Sequence, residues 1–122
     1  MNLIKRLHHA SLVVSDLAAS RAFYEGMLGL PVSPLRPNMS FDGIWYDIGE
    51  QQIHLLVVPD PDKGAVRPAH GGRDRHTALV VNDFGELIAR LEKSNIPYTF
   101  SQSGRRALFC RDPDGNALEL ME

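Results

Sequence analysis

The sequence predicts an α+β fold made from one unit used twice, on three observations. Residues 8–17 (HHASLVVSDL) and 75–84 (RHTALVVNDF) match nearly position for position, so the chain contains an internal repeat. Each copy is an apolar run that ends at an aspartate, the pattern of a strand leading into a helix N-cap. After each helix signal come short apolar runs punctuated by turn residues, the pattern of strands.

In the first half Ser15 or Asp16 caps the helix, Leu17, Tyr24, Met27 and Leu28 form its inner face, and Gly29 stops it ahead of Pro31. In the second, Asp83 is the N-cap, Glu86 its capping-box partner, and Phe84, Leu87, Ile88 and Leu91 the buried stripe, with Asn95 and Pro97 as the stop. Strands are expected in GIWYDIG and QIHLLVV, then in IPYTF, RALFCRD and NALELM, the last two joined by the turn DPDG. The expected organisation is a single domain over residues 1–122: a first module over about 1–62, a Pro- and Gly-rich linker or lid over about 63–73, and a second module over about 74–122.

A chain of 122 residues, 43% hydrophobic and 23% charged, suits one globular domain. No apolar run approaches the roughly 20 residues that cross a bilayer, and MNLIKRLHHA has no apolar signal core, so no membrane association and a cytoplasmic location are expected. A formal charge of -2 with basic residues scattered gives no positive stripe, so nucleic acid is not an expected partner. The single cysteine, Cys110, excludes an internal disulfide and, in the apolar run ALFC, reads as a buried structural thiol.

Side chains alternate across a strand, so His9, Ser11 and Val13 share one face of the first strand. His76 holds the matching position in the second copy, and a pseudo-twofold arrangement makes the two histidines equivalent. His54 in QIHLL and Glu119 in ALELM are single polar residues between apolar neighbours. An ionised carboxylate buried in a strand needs a partner, and a divalent cation balances its charge while also satisfying imidazoles. His9, His54, His76 and Glu119 are therefore the expected metal ligands. His8, expected on the opposite face, and His70, in the Gly-rich linker, are expected not to be ligands.

With HHASLVVSDLAASRAFYEGMLGL, RHTALVVNDF and FCRDPDGNALEL in that order, the chain resembles the vicinal oxygen chelate superfamily of glyoxalases, bleomycin-resistance proteins and extradiol dioxygenases over essentially its whole length. The resemblance implies two βαβββ modules forming an open, cup-shaped mixed sheet around a metal. It implies ligation by the first-strand His, its repeat counterpart and the last-strand Glu, which are His9, His76 and Glu119 here. It also implies a homodimer, often with each cup built from modules of two chains. The fourth position is Glu in glyoxalase I enzymes and Gln in methylmalonyl-CoA epimerases; here it is His54. Three imidazoles and one carboxylate suit one divalent transition metal ion, Zn, Ni, Co, Mn or Fe, and suit Ca or Mg poorly.

The expected function is that of a metal-dependent lyase, isomerase or transferase. It would chelate two adjacent oxygens of a small-molecule substrate and stabilise an enediolate or alkoxide, with Glu119 as proton shuttle. Ser11 stands where the fosfomycin transferases of the superfamily place a catalytic Thr, although Ala107 and Phe109 replace polar residues of their phosphonate and potassium set. Arg105, first in rank because it follows Gly104 in a turn, together with Arg106, Arg75 and Arg73, could anchor substrate anions. Trp45, Tyr46 or Phe109 would supply apolar walls. The alternatives are an Fe(II) extradiol-type dioxygenase, which a fourth ligand at His54 opposes, and a non-catalytic drug-binding resistance protein, which the ligand set opposes.

Overall fold

The computed structural model describes residues 1–122. The first half runs β1 (His9–Val14), α1 (Leu17–Arg21), a π-helical continuation (Ala22–Met27), β2 (Gly43–Ile48) and β3 (Gln51–Val57). A short 3-10 turn (Gly71–Arg73) precedes the second half, β4 (His76–Val80), α2 (Phe84–Lys93), β5 (Tyr98–Phe100), β6 (Ala107–Arg111) and β7 (Ala117–Met121). No helix is long and apolar enough to cross a membrane.

Both helices start where a side chain satisfies an otherwise orphaned amide. Asp16 accepts from Ala19 N at 3.1 Å, and Asp83 accepts from Glu86 N at 2.9 Å. Glu86 does not return to the cap; its carboxylate takes Arg90 Nε one turn on, at 3.1 Å. Beyond α1 the helix widens, with Leu28 N bonding Phe23 O five residues back. That turn brings Phe23 into the core beside Tyr24 and Met27. Gly29, at φ +75°, then ends it in a conformation that suits glycine.

The strands form two sheets, ordered β1-β3-β2 and β4-β7-β6-β5. β1 runs parallel to β3 and β4 parallel to β7, while β2 and β6 lie antiparallel on their far sides. The sequence repeat is thus a repeat of register: Ser11 lies opposite His54 as Ala78 lies opposite Glu119, and Trp45 lies opposite His54 as Phe109 lies opposite Glu119. The first half lacks a counterpart of β5, whose place is taken by a single bridge from Val32 to Tyr46. Pro31, Pro34 and Pro37 explain this, because proline has no N–H for a ladder. The sheets remain open.

One core serves both halves. Val14, Tyr24, Tyr46, Ile53 and Leu55 meet Leu87, Leu91, Leu108, Leu118 and Leu120, all buried. Cys110 belongs to this core as a structural thiol, and burial pushes it up to about 12. Polar ties reinforce the junction. Tyr24 donates to buried Asp112 at 2.8 Å, Asn116 Nδ2 donates to Val13 O at 3.0 Å, and Ser15 Oγ bonds Asp114 at 2.6 Å. With Leu55 and Leu118 turned into the core, alternation turns His54 and Glu119 to the opposite faces of their sheets.

Candidate metal centre

The second half brings His76 and Glu119 together. The His76 ring donates through Nδ1 to the Asp74 carbonyl at 2.9 Å, which leaves Nε2 as the basic nitrogen. That nitrogen faces Glu119 Oε1 at 3.2 Å. Two lone pairs pointed at one another require a cation between them, a proton or a metal. The carboxylate, only 4% exposed, has its other oxygen on Arg105 Nη2 at 2.8 Å. Phe109 packs edge-on against His76, with centroids 5.2 Å apart.

The first half brings His9 and His54 together in the same register. His54 is sandwiched between Trp45, at 3.8 Å, and His9, at 3.9 Å between centroids. Gln52 orients it: the Gln52 amide donates to Asp47 Oδ1 at 3.0 Å, so its Oε1 accepts from His54 Nε2 at 2.8 Å and leaves Nδ1 as the basic nitrogen. Burial first, then the neighbouring rings of His9 and His8, push His54 down to about 4, so it is a neutral imidazole at neutral pH.

Within one chain these remain two pairs. No three His, Cys, Asp or Glu side chains converge on one point. Ser11, opposite His54 in register, lines a cleft of about 280 Å³ together with Arg75 and His76. Arg75 is ion-paired with Asp62 there. Arg106 lies over the Phe84 ring at 5.1 Å and pairs with Glu122 at 3.2 Å, engaged with α2 rather than with Glu119. His8 was expected on the face opposite His9, but the strand begins at His9, and the two Nδ1 atoms lie 2.9 Å apart.

Sequence reasoning passed over two features. The first is Gln52, a polar residue two positions before His54 on the same strand face. The second is the turn at His70, whose ring bonds Thr99 Oγ1 at 2.8 Å and packs edge-on against Phe109 at 4.9 Å. A Cβ at Gly72 would stand 2.9 Å from His70 Nε2 and 3.2 Å from Phe109 Cζ, so the His70 ring would have to shift to admit one. The Gly-Gly pair ahead of the repeated His was the available signal. Arg111 clamps the base of the turn, donating to Pro68 O at 2.6 Å and Asp74 Oδ2 at 2.8 Å. Gly72→Ala is expected to lift the turn, costing about 1–3 kcal/mol in urea unfolding and speeding amide exchange over residues 69–73. Unchanged exchange would show that the turn tolerates the methyl.

The donor set fits a transition metal: imidazoles oriented by a carbonyl and an amide, and a buried carboxylate. Comparison with known proteins gives the family. Over 98% of its length the chain is 33% identical to the protein YaeR of Escherichia coli (strain K12), covering 97% of that protein. It is 32% identical to glyoxylase I 4 of Arabidopsis thaliana, over 93% of this chain and 68% of that one. The crystal structure of the glyoxalase family protein from Enterococcus faecalis superposes with a TM-score of 0.72 at 27% identity, covering 99% of this chain and all (100%) of the other. Residues 6–120 match the model of the Glyoxalase/Bleomycin resistance protein/Dioxygenase superfamily, and the chain belongs to that superfamily.

Proposed function

We propose that the protein is a metal-dependent enzyme of lyase, isomerase or transferase type, acting on a small oxygenated substrate. His9, His54, His76 and Glu119 would hold one divalent transition ion, Zn, Ni, Co, Mn or Fe, in a site shared between two copies of the chain. The observation that carries this reading is the facing of His76 Nε2 and Glu119 Oε1 at 3.2 Å, with Nδ1 already committed to a carbonyl. The repeat sets His9 and His54 at the corresponding register of the other sheet.

Sharing between copies would unite two pairs that do not form a group of three or more within one chain. It is supported by the free edges of β1 and β4 and by apolar groups left in solvent, such as Leu7 at 77% and Val80 at 76% exposure. Proteins cover such edges and patches.

A divalent metal bound there supplies Lewis-acid polarisation of adjacent substrate oxygens. Glu119 is the group that can move a proton between substrate atoms, because it is the one carboxylate of the proposed ligand set. Ser11 presents a hydroxyl to the cleft beside His76, Trp45 and Phe109 are the apolar walls, and Arg75 and Arg105 the anchors nearest the ligand pairs. Arg106, committed to Glu122, would first have to turn.

Elemental analysis of the purified protein tests the reading. Wild type is expected to carry about one transition metal per chain, with loss in His76→Ala, Glu119→Gln and His54→Ala. Loss in His76→Ala but retention in His54→Ala would mean a three-ligand site and favour the Fe(II) dioxygenase. No binding of Zn, Ni, Co, Mn or Fe(II) by wild type would end the enzyme reading.

A further inference from the structure

Arg105 stands apart from the other arginines of the second half. Arg75, Arg90, Arg106 and Arg111 each have a carboxylate outside the proposed ligand set, namely Asp62, Glu86, Glu122 and Asp74. Arg105 has Glu119, the one carboxylate that a metal would claim. The guanidinium is held as well as paired: Nε donates to Ser103 Oγ at 3.3 Å, and Ser103 is tied to Ser101 at 2.7 Å. Its side chain is 59% exposed, so donors not used on Glu119 and Ser103 open to solvent beside the ligand pair. Gly104, at φ +84°, has nothing within 4 Å of an added Cβ, so there is open space beside the turn that carries Arg105.

Charge balance says what those donors are for. Imidazoles coordinate as neutral ligands, so three of them and one carboxylate leave a divalent ion with a surplus positive charge, and Arg105 adds a second. A half-buried site with that surplus favours an anion, and a guanidinium fork matches the paired oxygens of a carboxylate or phosphonate.

On the metal-centre reading above, we propose that Arg105 exchanges partners, holding Glu119 before metal binds and a substrate oxyanion afterwards, and that the substrate bears this charge next to its chelating oxygens. The class is a small hydroxy acid, keto acid or phosphonate. Arg105 then has two opposite effects: it competes with the metal for Glu119, and it strengthens anion binding once the metal is in place.

Calorimetric titration of wild type, Arg105→Gln and Arg105→Lys with Ni(II) or Zn(II), followed by titration of the metal-loaded proteins with oxalate and with imidazole, reads both effects. Arg105→Gln is expected to bind metal about 10-fold more tightly and oxalate at least about 10-fold more weakly, with imidazole, a neutral metal ligand, within about twofold. Arg105→Lys, which keeps the charge and loses the fork, is expected between the two. Metal and oxalate affinities of Arg105→Gln both within about threefold of wild type would overturn the proposal and leave Arg105 as a surface ion pair. Wild type that binds no metal would overturn the metal centre itself, and this proposal with it.

Discussion

Two defective chains, expressed together, are expected to rebuild a metal site that neither has alone. His9→Ala/His54→Ala removes the ligand pair of the first half and leaves His76 and Glu119 intact; His76→Ala/Glu119→Gln does the reverse. Each homodimer is expected to bind metal at least about 100-fold more weakly than wild type, because each site has lost two of its four donors. In a heterodimer whose sites combine the first half of one chain with the second half of the other, one site keeps all four ligands and the other keeps none. Elemental analysis of the isolated heterodimer should therefore give about half the wild-type metal content. If each site is built within one chain, both sites of the heterodimer are damaged and its metal content stays near zero. The free edges of β1 and β4 and the apolar groups exposed beside them lead to the first outcome.

The pairing within each half was legible because two periodicities coincide. Alternation along a strand puts His54 and Glu119 opposite the core-facing leucines, and the sequence repeat carries that register from one half to the other. The strand segments were legible from apolar runs between turn residues, and both helix starts from their aspartate caps. What could not be read depends on partners far away in sequence. Gly104 already singles out Arg105 over its neighbour Arg106, but the partners themselves, Glu119 for Arg105 and Phe84 for Arg106, are set by the geometry of that turn. The His70 turn follows a path set by close backbone approach to Phe109, which composition alone reads as a linker. The missing fourth strand of the first half traces to Pro31, Pro34 and Pro37, which have no N–H for a ladder. Whether the two pairs combine, and whether within one chain or between two, depends on how the sheets face one another, which strand periodicity does not encode.

The turn DPDG was read as punctuation, but the structure makes it the junction of the two halves, and the largest loss of stability is expected there. Asp112, 5% exposed, accepts four hydrogen bonds: from Asp114 N and Asn116 N on Oδ1, and from Tyr24 OH and Asn116 Nδ2 on Oδ2. Asp112→Ala removes every one of these acceptors and leaves the fully buried Tyr24 hydroxyl without one, an expected cost of about 3–5 kcal/mol in urea unfolding. Tyr24→Phe leaves three of the four bonds in place and should cost about 1–2 kcal/mol. Asp112→Asn keeps the shape but turns an amide N–H₂ or a neutral oxygen toward donors that had a carboxylate. The pH dependence has a definite sign. Burial, against the pull of these hydrogen bonds, raises the Asp112 carboxyl above its ordinary 3.8, so the folded chain holds that proton more tightly than the unfolded chain does. Its contribution is therefore most favourable at low pH and falls as pH rises from 3.8 through the higher folded value, beyond which the cost of burying the charge is constant. The stability difference between wild type and Asp112→Asn should shrink through that window. A difference that grew instead would mean that the four hydrogen bonds outweigh burial and that Asp112 is a stabilised anion.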